Sequence, residues 1–207
     1  MEIIEDGCFC NCDSLKEIII PDTVTDIGTS AFRNCKSLEK ITLPKNLTVL
    51  SVSMFVGCTS LKSVSLPNNI SMLCDSAFCG TTKLDSIELP EKFNSISGPP
   101  FAGSSIKTLI FNYDVDIFYS TYDFGLDYDF IYNSNINKLV IGNNVKKINE
   151  NLFNISGSQI TEIEYHGSKK QFEEFKETNK KLFAKLTNIS KVSCTKKSLV
   201  IEKDMYR

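Results

Sequence analysis

The chain has 207 residues, 42% hydrophobic and 23% charged, an ordinary globular composition with enough apolar mass for a sizeable core. A net charge of −2 leaves no basic footprint for nucleic acid. There is also no apolar run of about 18 residues to span a membrane.

Taken from its start, the sequence repeats. Phe9, Phe32, Phe55, Phe78 and Phe101 follow one another at a constant spacing of 23 residues. Behind each runs the same apolar series: Leu15, Leu38, Leu61 and Leu84; Ile18, Ile41, Val64 and Ile87; Ile20, Leu43, Leu66 and Leu89. Pro21, Pro44, Pro67 and Pro90 close the units. A fixed period of this length marks a solenoid, and Leu-x-x-Ile-x-Leu at this spacing fits leucine-rich repeats. The opening residues lie in mid-repeat, since Ile4 and Phe9 match Ile27 and Phe32; no signal peptide opens the sequence, which is either trimmed from a longer one or begins with a repeat that lacks a cap.

Each unit carries two extended pieces. In the first, strand alternation turns Ile18 and Ile20 inward and Glu17 and Ile19 outward. The outward columns read Glu17, Lys40, Ser63, Ser86, Thr108 and Ile19, Thr42, Ser65, Glu88, Ile110, a polar face of mild charge. The second piece is Val24-x-x-Ile27, Leu47-x-x-Leu50, Ile70-x-x-Leu73 and Phe93-x-x-Ile96. Proline cannot donate to a ladder, so pairing stops at each unit's end. The phenylalanines should stack as a core spine. Cys12, Cys35 and Cys58 hold one corner, followed there by Thr81 and Ser104. A packed ladder of small side chains explains them better than disulfides do. Cys8 falls where Ala31 and Ala77 stand, which argues against a zinc reading of Cys8, Cys10 and Cys12.

Ala31-Phe32-Arg33-Asn34-Cys35-Lys36-Ser37-Leu38, followed by Ile41, Leu43 and Pro44, resembles the BspA-like (treponemal-type) leucine-rich repeat. Met54-Phe55 to Pro67 and Ala77-Phe78 to Pro90 match it nearly as well. The resemblance covers roughly residues 1–165. It implies a cell-surface or secreted protein that binds host or matrix proteins.

The rhythm breaks after Phe101. Ile106, Leu109 and Phe111 still match, but the next spine position is Phe130, with the extra length within residues 119–129. From Asn112 to Asn137 there is no Lys or Arg; besides Asp114 and Asp116, the stretch holds the candidate partner-binding set Tyr113, Tyr119, Tyr122, Asp123, Asp127, Tyr128 and Asp129. Aromatic side chains in an inserted loop suit an interface core, and carboxylates suit a basic partner. Asp123, Asp127 and Asp129 could instead offer oxygen ligands to calcium, although the EF-hand spacing is missing.

Another unit follows with Ile136, Leu139, Ile141, Val145, Ile148 and Phe153, and Ile160, Ile163 and Tyr165 give the last inward strand. Beyond His166-Gly167 the period is lost. Ser168 with Gln171 reads as a capping box opening an amphipathic helix through Phe172, Phe175, Leu182, Phe183 and Leu186, broken near Thr178-Asn179. Val192 and Cys194, then Leu199 to Ile201, suggest a closing hairpin. The predicted fold is thus an α/β-type repeat solenoid dominated by β. It is a right-handed leucine-rich repeat coil over 1–165, of about seven units with one short parallel strand per 23-residue repeat, plus a helical and hairpin cap over 166–207.

No nucleophile elbow, phosphate loop or Ser/Cys partner for the lone His166 is present. The lysine-rich cap reads as a solvated helix face. The sequons at Asn46, Asn69, Asn154 and Asn188 would matter only in a secreted eukaryotic chain. The expectation is a non-enzymatic recognition module without cofactor or metal, whose partner is a protein or, second, a glycan. The alternative is a spacer domain of a longer surface protein.

Overall fold

A computed structural model describes residues 2–116, 130–153 and 159–195. Its strands are β1 (Glu2–Ile4), β2 (Glu17–Ile19), β3 (Val24–Ile27), β4 (Lys40–Thr42), β5 (Val49–Leu50), β6 (Ser63–Val64), β7 (Met72–Cys74), β8 (Ser86–Leu89), β9 (Ser95–Ser97), β10 (Thr108–Phe111), β11 (Lys138–Gly142), β12 (Glu162–His166) and β13 (Lys191–Cys194). Two helices, α1 (Lys169–Thr178) and α2 (Lys180–Lys185), lie between β12 and β13.

The Leu-x-x-Ile-x-Leu segments form the main strand face, as the pattern predicts. They pair parallel and in repeat register as β2-β4-β6 and β8-β10-β11-β12-β13. Glu17 meets Lys40, Ser86 meets Thr108, and Thr108 meets Lys138. The second extended pieces also pair parallel, as β1-β3 and β5-β7-β9. This adds a second stack to the one strand per repeat that the sequence suggested.

Between the stacks lies the core. Phe32, Phe55, Phe78 and Phe101 are fully buried, and successive rings stack at 6.0, 5.7 and 5.7 Å. Phe130 continues the spine edge-on to Phe101 at 5.0 Å, so the longer turn is absorbed by rotating one ring rather than by losing the contact. The corner before each residue of the cysteine–threonine ladder is left-handed: φ is 61° at Asn11, 59° at Asn34, 71° at Gly57 and 72° at Gly80. Asparagine and glycine tolerate that region. At Gly57 a Cβ would also sit 2.4 Å from Asn34 Oδ1, so the Asn34 side chain would have to shift.

The cysteine ladder is packed and reduced. Cys35 Sγ donates to Phe9 O at 3.1 Å and Cys58 Sγ to Phe32 O at 3.0 Å, and both are free thiols. Burial pushes the Cys35 thiol up to about 11 and the Cys58 thiol up to about 12.

One expectation needs correction, and the first turn departs from the repeat. Cys8, at the position of the fully buried Ala31 and Ala77, is exposed. It belongs to the first turn, where Ile4, Phe9, Cys12, Leu15 and Ile18 are also only partly buried. Tyr165 does not lie on the last inward strand, because β13 follows it in the same sheet. Val192 and Cys194 lie on β13, which runs parallel to β12, with Glu162 opposite Lys191 and Tyr165 opposite Cys194. Two helices carry the chain across, so β13 enters in the direction of every earlier strand of the sheet. Leu199 to Ile201, the other arm of the expected hairpin, fall outside the described residues.

The helical segment is as expected. Ser168 and Gln171 make the reciprocal capping box, and the helix breaks at Asn179. Asn179 is buried; its Nδ2 donates to Lys146 O and Phe175 O, and its Oδ1 accepts from Ile148 N. One side chain thereby ties the cap to the preceding turn.

Candidate functional site

The outward side of the main strand face carries three rows. One runs Glu17, Lys40, Ser63, Ser86, Thr108, Lys138, Glu162, Lys191; the next runs Ile19, Thr42, Ser65, Glu88, Ile110, Val140, Glu164, Ser193. The third holds the strand-end prolines and then Asn112, Gly142, His166 and Thr195. Most charges on it are matched across turns. Lys40 meets Glu17 at 3.3 Å, and Lys191 meets Glu162 at 3.2 Å. Glu164 sits between Lys138 at 2.7 Å and His166 at 3.0 Å. The hydrogen bond from Lys138, followed by that from His166, holds the Glu164 carboxyl below the usual carboxylate range.

This face is split at one junction. From turn to turn, the residue entering the strand donates its N–H to the matching carbonyl of the turn before: Glu39 to Lys16, Lys62 to Glu39, Lys107 to Asp85, Asn137 to Lys107, Thr161 to Asn137 and Ser190 to Thr161. The bond from Asp85 or Ser86 to the Lys62 carbonyl is missing from that series, and β6 and β8 share no ladder. On the other stack the same two turns stay joined, β7 pairing with both β5 and β9, and Phe55 still stacks on Phe78. The opening is therefore a wedge confined to the outward strand face.

The residues at the wedge account for it. Serine lacks the β-branched or aromatic side chain that packs well on a pleated surface, and Ser63, Ser65 and Ser86 all fall here. Val64 stands between Ile41 and Ile87 in an inward column that Ile18 opens at the half-buried first turn. Ile41 and Ile87 are 3% and 1% exposed, whereas Val64 is only half-buried.

A cavity of about 380 Å³ results, lined by Lys62, Ser63, Val64, Ser65, Leu66, Asn68, Ser86, Glu88, Leu89, Pro90 and Ile110. Its two charges are already engaged, Lys62 by Glu39 and Glu88 by Asn112 Nδ2 at 2.6 Å. The Ser63, Ser65 and Ser86 hydroxyls and the Asn68 amide make no hydrogen bond to the described protein. Serines elsewhere bond to carbonyls of the turn before, as Ser71 does to Thr48 O at 3.2 Å and Ser105 to Thr81 O at 2.7 Å. Among the described residues no group of three or more His, Cys, Asp or Glu is placed to hold a metal. No helix among them is long and apolar enough to cross a membrane.

Of the sequence candidates, only Tyr113 lies in the described part, half-buried at a bend after β10. Tyr119, Tyr122, Asp123, Asp127, Tyr128 and Asp129 fall outside it, and with them the calcium reading. Two neighbouring carboxylates are not free for a basic partner. Asp114 Oδ1 accepts from the Lys146 and Lys147 amides, and Asp116 accepts from Asn149 Nδ2 and Lys147 Nζ. The wedge was missed in the sequence. Its signal was there, in serine at three adjoining outward positions beside the only valine in the inward Ile/Leu column of the first four turns.

A family profile for the BspA type leucine-rich repeat region matches residues 2–124 and 126–207 in six copies. Among solved structures, a leucine-rich cell-surface protein from Faecalibacterium prausnitzii is 33% identical, covering 58% of this chain and 30% of its own, at a TM-score of 0.48. A leucine-rich repeat protein from Bacteroides ovatus is 21% identical, covering 93% of this chain and 52% of its own, at 0.53. The pneumococcal vaccine antigen PcpA is 13% identical, covering 96% and 60%, at 0.50. This chain thus spans less than two thirds of each of those proteins. No curated protein matches it significantly. The chain belongs to the BspA-type leucine-rich repeat family.

Proposed function

We propose that this chain is a non-catalytic recognition module of a cell-surface or secreted protein, and that it binds a protein partner through the outward strand face. The observation that carries this is the wedge between β6 and β8, where a cavity, free hydroxyls and unpaired ladder groups open onto an otherwise charge-matched surface. A ladder of this kind gives a stiff surface with little ordering cost on binding. Family membership and the cell-surface neighbour support the surface location. The insertion over 119–129 is proposed as a second contact region; unchanged binding after its deletion would remove it.

The test uses immobilised extracellular-matrix proteins as probes. Thr42→Arg, Ser65→Arg and Ser86→Arg change exposed positions on the strand face, and Asn94→Arg changes an exposed position off it. At least one matrix protein should bind the native chain, lose affinity for strand-face variants and keep it for Asn94→Arg. Equal binding by all four variants would overturn the proposal. The alternative is a spacer domain of a longer surface protein without a ligand of its own. It predicts no binding in this assay.

A further inference from the structure

The first two outward rows of the strand face carry four glutamates, and three of them are ion-paired: Glu17 with Lys40, Glu162 with Lys191, and Glu164 with Lys138. Glu88 is the exception. Among the described residues it meets no cation; the neutral Asn112 amide takes its Oε1 and leaves Oε2 open. Glu88 stands on the cavity wall, beside the unengaged hydroxyls of Ser65 and Ser86. Lys62, on the same wall, is turned to Glu39 and does not neutralise it. The cavity therefore offers one uncompensated negative charge, neutral oxygen acceptors and an aliphatic lining that includes Val64 and Ile110.

The opening is too narrow for an added strand. β6 and β8 remain within 8 Å of each other at their Cα atoms, whereas a main chain paired to both would need roughly 9–10 Å between them. What fits is a side chain reaching in from a backbone that lies above the face. A lysine matches the chemistry. Its four-carbon stem suits aliphatic walls, and its ammonium carries three donors, for which Glu88 Oε2 and the Ser65 and Ser86 hydroxyls are acceptors. Arginine matches less well, because its planar fork takes a carboxylate through both oxygens, and Asn112 already holds one of them. We infer that the wedge receives a lysine side chain of the protein partner, with its ammonium at Glu88 Oε2 and its stem against Val64 and Ile110. This rests on the recognition proposal and narrows it to one cavity and one side-chain class.

The probes are the Nα-acetyl methylamides of lysine, norleucine and arginine, each titrated into the isotope-labelled full chain and followed by its backbone amide resonances. Norleucine keeps the four-carbon stem and lacks the ammonium. The lysine probe should shift the Ser65, Ser86 and Glu88 amides saturably, with the roughly millimolar affinity of a small fragment. The norleucine and arginine probes should bind about threefold or more weakly. Glu88→Gln removes the charge at an exposed position and should cost the lysine probe about threefold or more. Glu17→Gln removes the same charge from the same face and should change its affinity less than about twofold. Amide resonances unchanged away from the substituted site verify that each variant is folded. The inference is overturned if the lysine probe shifts none of the three amides, if either other probe binds as tightly, or if Glu88→Gln and Glu17→Gln act alike. Should it fail while a matrix protein still loses affinity for Ser65→Arg and Ser86→Arg, the lysine site falls and recognition by the strand face stands. Matrix proteins indifferent to every strand-face variant remove the face as the recognition surface, whatever the probes do.

Discussion

Replacing Phe55 by alanine probes the stacked core where it is most complete. Phe55 is fully buried and lies between Phe32 at 6.0 Å and Phe78 at 5.7 Å. Truncating a buried phenylalanine costs about 3–5 kcal/mol, a large share of a typical total of about 5–15 kcal/mol. Phe9 is the internal comparison, being partly buried with a single stacked neighbour, Phe32, at 5.2 Å. With one ring contact instead of two and part of its surface already in water, Phe9→Ala should cost roughly half as much, ~1.5–2.5 kcal/mol. Urea unfolding followed by far-ultraviolet circular dichroism measures both. Because each repeat is stabilised by its neighbours, Phe55→Ala should lower the midpoint for the whole coil, while Phe9→Ala should chiefly loosen the first turn. An equal or larger loss for Phe9→Ala, or a loss below ~1 kcal/mol for Phe55→Ala, would refute the stacked-spine reasoning.

Three further outcomes follow from local chemistry. Asn179→Ala leaves the Lys146 carbonyl and the Ile148 amide without their side-chain partner, while the Phe175 carbonyl keeps the bond from the Asn179 N–H. At about 1–3 kcal/mol per stranded buried group, thermal unfolding of the cap should drop well below that of the parent, and an unchanged midpoint would contradict the tie. Cys35 and Cys58 are held neutral by burial, with thiols raised to about 11 and about 12 from 9.0. In the unfolded chain both ionise first, so their contribution to stability is complete below pH 9 and declines as pH climbs from about 9 toward about 12. A chain carrying Cys35→Ala and Cys58→Ala should show a flatter alkaline decline, and an identical slope would count against the ladder. Val64→Ile adds the methylene present at Ile41 and Ile87 to a half-buried site beside the cavity. It should stabilise by ~0.5–1.5 kcal/mol, the reverse of a typical Ile→Val loss; a loss of stability would mean the site is already full.

Much of the fold was legible because one rule, written repeatedly, outweighs local ambiguity. Phe32, Leu38, Ile41 and Leu43 each fix a position, and their recurrence fixed the register of the pairing between turns. The capping box at Ser168 was equally plain, being a local motif with its own hydrogen bonds. The partner of β13 was not. Val192 and Cys194 mark a strand, but only the path of α1 and α2 shows that it extends the solenoid sheet beside β12. The candidate site was hidden for a related reason: a period reports which positions agree, whereas the wedge arises where they agree too weakly. Ser63, Ser65, Ser86 and Val64 each pass as ordinary variation, and the missing Asp85-to-Lys62 bond exists only in three dimensions. The aromatic insertion drew attention because its composition departs from the repeat, which is a signal of difference and not of geometry.

The most direct measurement is residue-resolved amide hydrogen exchange along the strand entries. Glu39, Lys62, Lys107 and Asn137 donate to the turn before, whereas Asp85 and Ser86 do not. The account predicts that the Asp85 and Ser86 amides exchange on the order of tenfold or more faster than those of Lys107 and Thr108. Protection at Asp85 and Ser86 equal to that at Lys107 and Thr108 in the free chain would mean the ladder is closed there, with no wedge to bind anything.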